Sequence, residues 1–123
     1  MIVGNLNDLK WMEKYNEKGE YRGRKKLFTS EKATVHFMEF CNGHALNPHS
    51  HSYEQIAMIT QGVCDFYCGR EKYRLCAGSY MVIPPNVEHY IHVHDSCVPV
   101  INLDIFIPNR EEYVKEYEEF LKG

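Results

Sequence analysis

Between about residue 24 and residue 107 the chain is a succession of short β-rich runs, each closed by a turn signal, and this rhythm narrows the fold most. The run ATVHFMEF (33–40) ends at Asn42-Gly43, and QIAMIT (55–60) ends at Gln61-Gly62. VCDFYC (63–68) and KYRLC (72–76) flank Gly69, which is hairpin spacing. Ala77-Gly78 leads into SYMVIP, and Pro84-Pro85-Asn86 turns the chain again before EHYIHVH (88–94). Asp95-Ser96 precedes the last run, VPVINLDIFI (98–107). Seven or eight strands at this spacing predict an all-β sandwich or barrel. No repeat or linker interrupts them, so residues 1–123 read as one domain, able to bury roughly two-thirds of its unfolded surface.

The stretch NREEYVKEYEEFLKG is different in kind. Asn109 can cap a helix and Glu112, three residues on, can complete a capping box. Tyr113, Tyr117, Phe120 and Leu121 recur at helical spacing, which predicts a helix over about 110–122 with one apolar stripe. The stripe is expected to pack on the outside of the barrel or on a partner subunit, not to form a binding box.

A net charge of −3 gives no footprint for nucleic acid. The densest basic run, Arg22, Arg24, Lys25 and Lys26, is flanked by Glu20 and Glu31, so it reads as a solvated strand edge. The first 21 residues lack the apolar segment of an export signal, and no stretch approaches a membrane span. The five cysteines are odd in number and form no C-x-x-C pair, which points to reduced thiols and a cytoplasmic setting. Cys64 and Cys68 share strand parity with Phe66, while Asp65 has the other, so they read as small buried apolar residues.

The stretch HSHSYEQ (49–55) carries the chemistry. If it is extended, His49, His51, Tyr53 and Gln55 point one way, and Ser50, Ser52 and Glu54 the other. Two imidazoles so spaced, with Cβ atoms roughly 6–7 Å apart, can converge on one ion. The same parity selects Gln55 over Glu54 as the third ligand from this segment. A His-x-His pair alone is more often surface than ligand. Two further features raise it: Gly43, six residues before His49, and His89, which follows an independent turn. His92 and His94 have the opposite parity to His89 and should face away, while His36 and His44, lacking partner spacing, read as surface or structural residues.

Residues 43–62 and 78–93 resemble the two motifs of the cupin superfamily. The first reads Gly43, His49, His51, Gln55, Gly62, with glutamine at the usual glutamate, and the second reads Gly78, Pro84, Asn86, His89. Asparagine replaces the second motif's middle glycine, and it tolerates the left-handed backbone a glycine would supply. HSHSYEQ, VIPPNVEH and DIFIPNREEY together resemble the small single-domain cupins of the pectin-degradation KdgF type. The match covers most of residues 24–113 and departs at Ser52-Tyr53 and in a longer C-terminal helix. The resemblance implies a cupin jelly-roll barrel with a short C-terminal helix. It also implies one divalent transition-metal ion on His49, His51, Gln55 and His89. It supports the choice of glutamine as ligand, and it includes an Asp-x-Phe-x-x-x-Arg signature, found here as Asp104, Phe106 and Arg110.

Three imidazoles and an amide oxygen make a neutral donor set without thiolate, which zinc, nickel, manganese and iron(II) all satisfy. On the last strand Asp104 shares parity with Phe106, and an unpaired carboxylate there would be costly. The residues alone leave two readings open: a structural ion pair with Arg110, or Asp104 as acid/base and Arg110 as a fork for a substrate carboxylate. The resemblance favours the second, with Phe106 walling the pocket and a 4,5-unsaturated uronate ring-opened and ketonised to the linear 5-keto-4-deoxyuronate. A small metal-dependent dioxygenase and a non-catalytic cupin binding a small ligand are the competing readings. Ile56 and Met58 make β-run 55–60 apolar on both faces, which predicts cover by a second sheet or by a homodimer partner.

Overall fold

The computed structural model describes residues 1–44 and 48–123. A 3-10 turn (Leu6–Asp8) precedes β1 (Met12–Tyr15), β2 (Tyr21–Thr29), β3 (Thr34–Phe40), β4 (Gln55–Gln61) and β5 (Val63–Cys68). The chain continues through β6 (Glu71–Cys76), β7 (Tyr80–Ile83), β8 (His89–His92) and β9 (Val100–Phe106) to α1 (Glu111–Leu121). The strands form an antiparallel six-stranded sheet, ordered β1-β2-β3-β9-β4-β7, and a three-stranded sheet, β6-β5-β8. Their facing sides share one core, with Phe40, Ile59, Ile83 and Val100 from the first meeting Cys64, Phe66 and Ile91 from the second. This is the expected jelly roll.

Strand alternation sets what faces inward. Val100, Asn102, Asp104 and Phe106 are the buried positions of β9, and Gln55, Ala57 and Ile59 those of β4. Register aligns Leu27 with His36, His36 with Asp104 and Asp104 with Ala57, so one polar pair sits on the buried face between two apolar neighbours. The other face of the same strands is apolar as well. Ile56 stands between Ile105 and Val82, and Met58 between Leu103 and Tyr80, with Val82 57% and Tyr80 76% exposed.

Three expectations change. The sheet begins at Met12, before residue 24; β1 buries only Met12, too little alternation to be read from sequence. The basic run is not a solvated edge, because Lys25 and Lys26 are buried. Lys25 pairs with Glu116 of α1 and lies 4.4 Å over the Tyr113 ring, while Lys26 donates to the Leu6 carbonyl at 2.6 Å and lies over Trp11. Asn109 does not cap α1. Its carboxamide bonds Thr34 Oγ1 and the Ser30 and Glu31 carbonyls, tying the entry of the helix to the β2–β3 turn.

The helix docks Tyr117 with Met12 and Leu27. Since Leu27 is the cross-strand neighbour of His36, α1 covers the concave side of the sheet, not its outside. Asn86 has φ 64°, the left-handed backbone expected of it.

His44 is buried with its ring stacked 4.0 Å from Phe40. Burial, helped by the nearby Arg22 charge, pushes its imidazole down to about 4. The fold therefore holds neutral His44, and that contribution is complete above the unfolded value of about 6.5. It is lost as pH falls from there toward 4. Denaturation midpoints should decline over that window, and His44→Phe, which keeps the stack, should flatten the decline.

Candidate metal centre and its pocket

Residues 49–54 do not run as the extended strand that the parity argument assumed. His49 forms a single bridge to His89, with His49 N–H donating to the His89 carbonyl at 3.2 Å and the reverse bond at 2.9 Å. The chain then bends at Ser52 and Tyr53. The bend is local chemistry: Tyr53 stacks on the His51 ring at 4.2 Å, and His51 Nδ1 donates to the Tyr53 carbonyl at 2.8 Å. Asn86 N–H donates to the His51 carbonyl at 2.7 Å, so the turn before β8 is laid alongside this bend. The spacer of the first motif, at 45–47, lies outside the described residues. The result is a cluster: ligating atoms of His49, His51 and His89 all lie within 4.8 Å of one another.

Tautomers follow from the partners. A carbonyl oxygen only accepts, so the proton is on Nδ1 of His51, and likewise on His89, whose Nδ1 donates to Val87 O at 2.9 Å. In the neutral imidazole each Nε2 is then a lone pair. His89 Nε2 is buried without a hydrogen-bond partner. His51 Nε2 faces Gln55 Oε1 at 2.9 Å. The carboxamide orientation is fixed from its other end, where Gln55 Nε2 donates to Asp104 Oδ1 at 2.7 Å. Two acceptors thus confront each other, which is unfavourable unless a cation lies between them. Ligands bound at about 2.1 Å stand about 3.0 Å apart in an octahedral shell and about 3.4 Å apart in a tetrahedral one, so this spacing suits a metal with neighbouring ligands at right angles. Burial and the neighbouring imidazoles hold the His89 pKa below the usual histidine range, which keeps Nε2 free. Glu54 is exposed, whereas Gln55 is buried.

A second group, Asp65, His92 and His94, meets the same distance test. As expected, these histidines lie away from His89, across β8. There, however, Asp65 is already engaged: Arg74 reaches its Oδ1 at 3.2 Å, while His94 at 2.6 Å and Lys72 at 3.6 Å reach its Oδ2. The cations occupy the carboxylate that a metal would need.

Beside the histidine triad opens a small cavity of about 130 Å³. His49, Gln55 and His89 form one side, and Asp104, Phe106, Arg110 and Tyr113 another. Asp104 Oδ1 accepts from Gln55 and, at 2.9 Å, from Asn102; its Oδ2 faces His36 Nδ1 at 3.6 Å. Arg110 does not pair with Asp104. Its Nε donates to Glu112 at 2.8 Å, and its guanidinium lies 3.8 Å over Tyr113 and 4.9 Å over Phe106. The structural Asp104–Arg110 pair is absent among the described residues. Arg110 in turn holds the Glu112 carboxyl below its ordinary range.

His36, Asn102 and Tyr113 also line this pocket, where sequence spacing gives His36 a surface or structural role, Tyr113 a packing role and Asn102 none. Parity held a signal for two of them, since His36 shares a face with Met38 and Phe40, and Asn102 with Asp104. Tyr113, expected as packing surface, is also pocket wall.

A family model described as AraC-like ligand binding domain matches residues 38–118. The chain belongs to this family and is a cupin. Among solved structures, this cupin is similar to KdgF from Halomonas sp., with 22% identity and TM-score 0.74 over 89% of this chain and 96% of that one. It is similar to an RmlC-like cupin from Shewanella frigidimarina at 18% identity and TM-score 0.73, covering 89% and 93%. A third, the polyketide cyclase RemF from Streptomyces resistomycificus, shares 13% identity and TM-score 0.71 over 88% of this cupin and 79% of that chain. At such identities the likeness is one of fold. Comparison with curated proteins returns no match. No helix of this cupin, among the described residues, is long and apolar enough to cross a membrane.

Proposed function

We propose that this cupin holds one divalent transition-metal ion on His49, His51, Gln55 and His89, and ring-opens and ketonises an unsaturated uronate. When bound, the ion would act as a Lewis acid on a substrate oxygen. The chain's own residues supply the rest. Arg110, with its guanidinium face spread on Tyr113 and Phe106, offers a fork to the substrate carboxylate. Asp104 moves the proton. Its Oδ1 accepts from Gln55 and Asn102, its Oδ2 faces His36 at 3.6 Å, and among the described residues no arginine or lysine is paired with it. The separation of Asp104 from Arg110 is the observation that carries the reading, because Asp104 is not spent on Arg110 and only the Nε of Arg110 is held, by Glu112, which leaves its terminal nitrogens to a substrate carboxylate.

The test is the ultraviolet absorbance of a 4,5-unsaturated uronate mixed with metal-loaded protein. Decay at the buffer rate would end the isomerase reading. Arg110→Lys keeps the charge but loses the fork and the flat stacking surface, so KM should rise roughly tenfold to a hundredfold with kcat changed less. A non-catalytic ligand-binding role is the second reading, favoured by the description of the matched family. Uronate bound without turnover would support it.

The apolar outer face of the six-stranded sheet fits a second copy of the chain. It carries no charge along the Ile56 and Met58 rows between β3 and β7, so a twofold axis can set it against itself. Sedimentation should give a dimer. A concentration-independent monomer would remove the dimer and leave the fold untouched.

A further inference from the structure

We propose that His36 reads a hydroxyl of the ligand, so that the pocket selects hydroxylated carboxylates such as sugar acids over apolar acids of the same size; this rests on the uronate reading. Among the described residues, buried side-chain nitrogens and oxygens without a hydrogen-bond partner belong to three histidines: His36, His44 and His89. His89 has a metal to meet. His44 is stacked against Phe40 and does not line the pocket. His36 does line it, is 2% exposed, and makes no hydrogen bond at Nε2, while its Nδ1 has only the longer contact with Asp104.

An imidazole so buried is costly when unsatisfied. Its surroundings say what would satisfy it. Nδ1 faces Asp104 Oδ2 at 3.6 Å, just beyond a hydrogen bond, so the proton belongs on Nδ1. That leaves Nε2 as an acceptor. An acceptor here asks for a donor from the ligand, and on a ligand that also carries a carboxylate the common neutral donor is a hydroxyl. Position agrees. The His36 ring lies 4.8 Å from Tyr113 and 6.3 Å from Phe106, the two rings that carry the Arg110 guanidinium. A ligand lying against this aromatic pair with its carboxylate on Arg110 has His36 within its own length. The arrangement distinguishes sugar acids from apolar acids, because an apolar ring would leave Nε2 unsatisfied and dry.

The test uses two carboxylates of similar ring size on metal-loaded protein. Galacturonate is hydroxylated and has no alkene to ketonise; cyclohexanecarboxylate has no hydroxyl. Titration calorimetry should show wild type preferring galacturonate. His36→Phe should weaken galacturonate about tenfold to a hundredfold and leave cyclohexanecarboxylate unchanged or tighter. An unchanged ratio of the two affinities in His36→Phe would overturn the proposal, as would a wild type that binds both equally. If His36→Phe does not fold, wild type decides: the nitrogen resonance of His36 Nε2 should move with galacturonate and not with cyclohexanecarboxylate, and a resonance that stays put refutes the assignment. Neither measurement needs turnover. Failure of the isomerase reading therefore shows separately, as unsaturated uronate left intact by protein that still binds galacturonate through His36.

Discussion

Asp104→Asn should slow uronate consumption by about a hundredfold to ten-thousandfold, the usual cost of losing one acid/base group, while melting temperature and metal content stay near wild type. The structure explains why the change can be this selective. Asparagine can turn its carbonyl oxygen to the two donors that Asp104 Oδ1 now accepts, Gln55 at 2.7 Å and Asn102 at 2.9 Å. Its amide then faces His36 Nδ1 across 3.6 Å, and a neutral imidazole with its proton moved to Nε2 accepts from it. Because Arg110 is engaged by Glu112, the substitution strands no buried cation. A purely structural Asp104 predicts the reverse, with stability falling and turnover per folded molecule unchanged. The three readouts on one variant therefore decide between the roles.

His51→Ala should abolish stoichiometric metal, whereas Glu54→Gln should keep most of it. The contrast isolates the bend at Ser52 and Tyr53, which brings His51 Nε2 within 2.9 Å of Gln55 Oε1 and leaves Glu54 exposed. Losing His51 removes one of three clustered imidazoles and leaves Gln55 Oε1 with no ion to face. His94→Ala provides the control on the other face. Since Arg74 and Lys72 already neutralise Asp65, that change should leave one ion per chain. Elemental analysis after gel filtration reads all three. Glu54→Gln protein without metal, or two ions per wild-type chain, would contradict this assignment.

Much of this was legible because strand parity and turn chemistry are local. Alternation along β9 put Asp104 and Phe106 on one face, and the turn before His89 demanded a residue that tolerates positive φ, which Asn86 supplies. Parity also preferred Gln55 to Glu54, yet by a route the chain does not take. The bend that joins Gln55 to His51 comes from a stacked tyrosine and a side-chain bond to backbone, neither of which has a period. His36 escaped for another reason. Its meaning lies in the register that sets it opposite Asp104, and pairing between distant strands leaves no mark in either run. The solvated edge expected of Lys25 and Lys26 fails because their burial comes from α1 and the N-terminal segment, which lie outside β2.

The C-terminal helix has a dual attachment. Tyr117 anchors it against Met12 and Leu27, and one turn earlier Tyr113 reaches into the pocket beside His36 and Phe106. Docking of the helix and filling of the pocket are thus two faces of one equilibrium. A ligand that binds only when Tyr113 is in place must add its binding free energy to the docked state, by simple mass action. Linkage runs both ways: whatever loosens the helix, even at Glu116 or Phe120, which do not line the pocket, lowers affinity by the fraction of molecules it leaves undocked. Affinity in this cupin is in part a property of how firmly its last element is held.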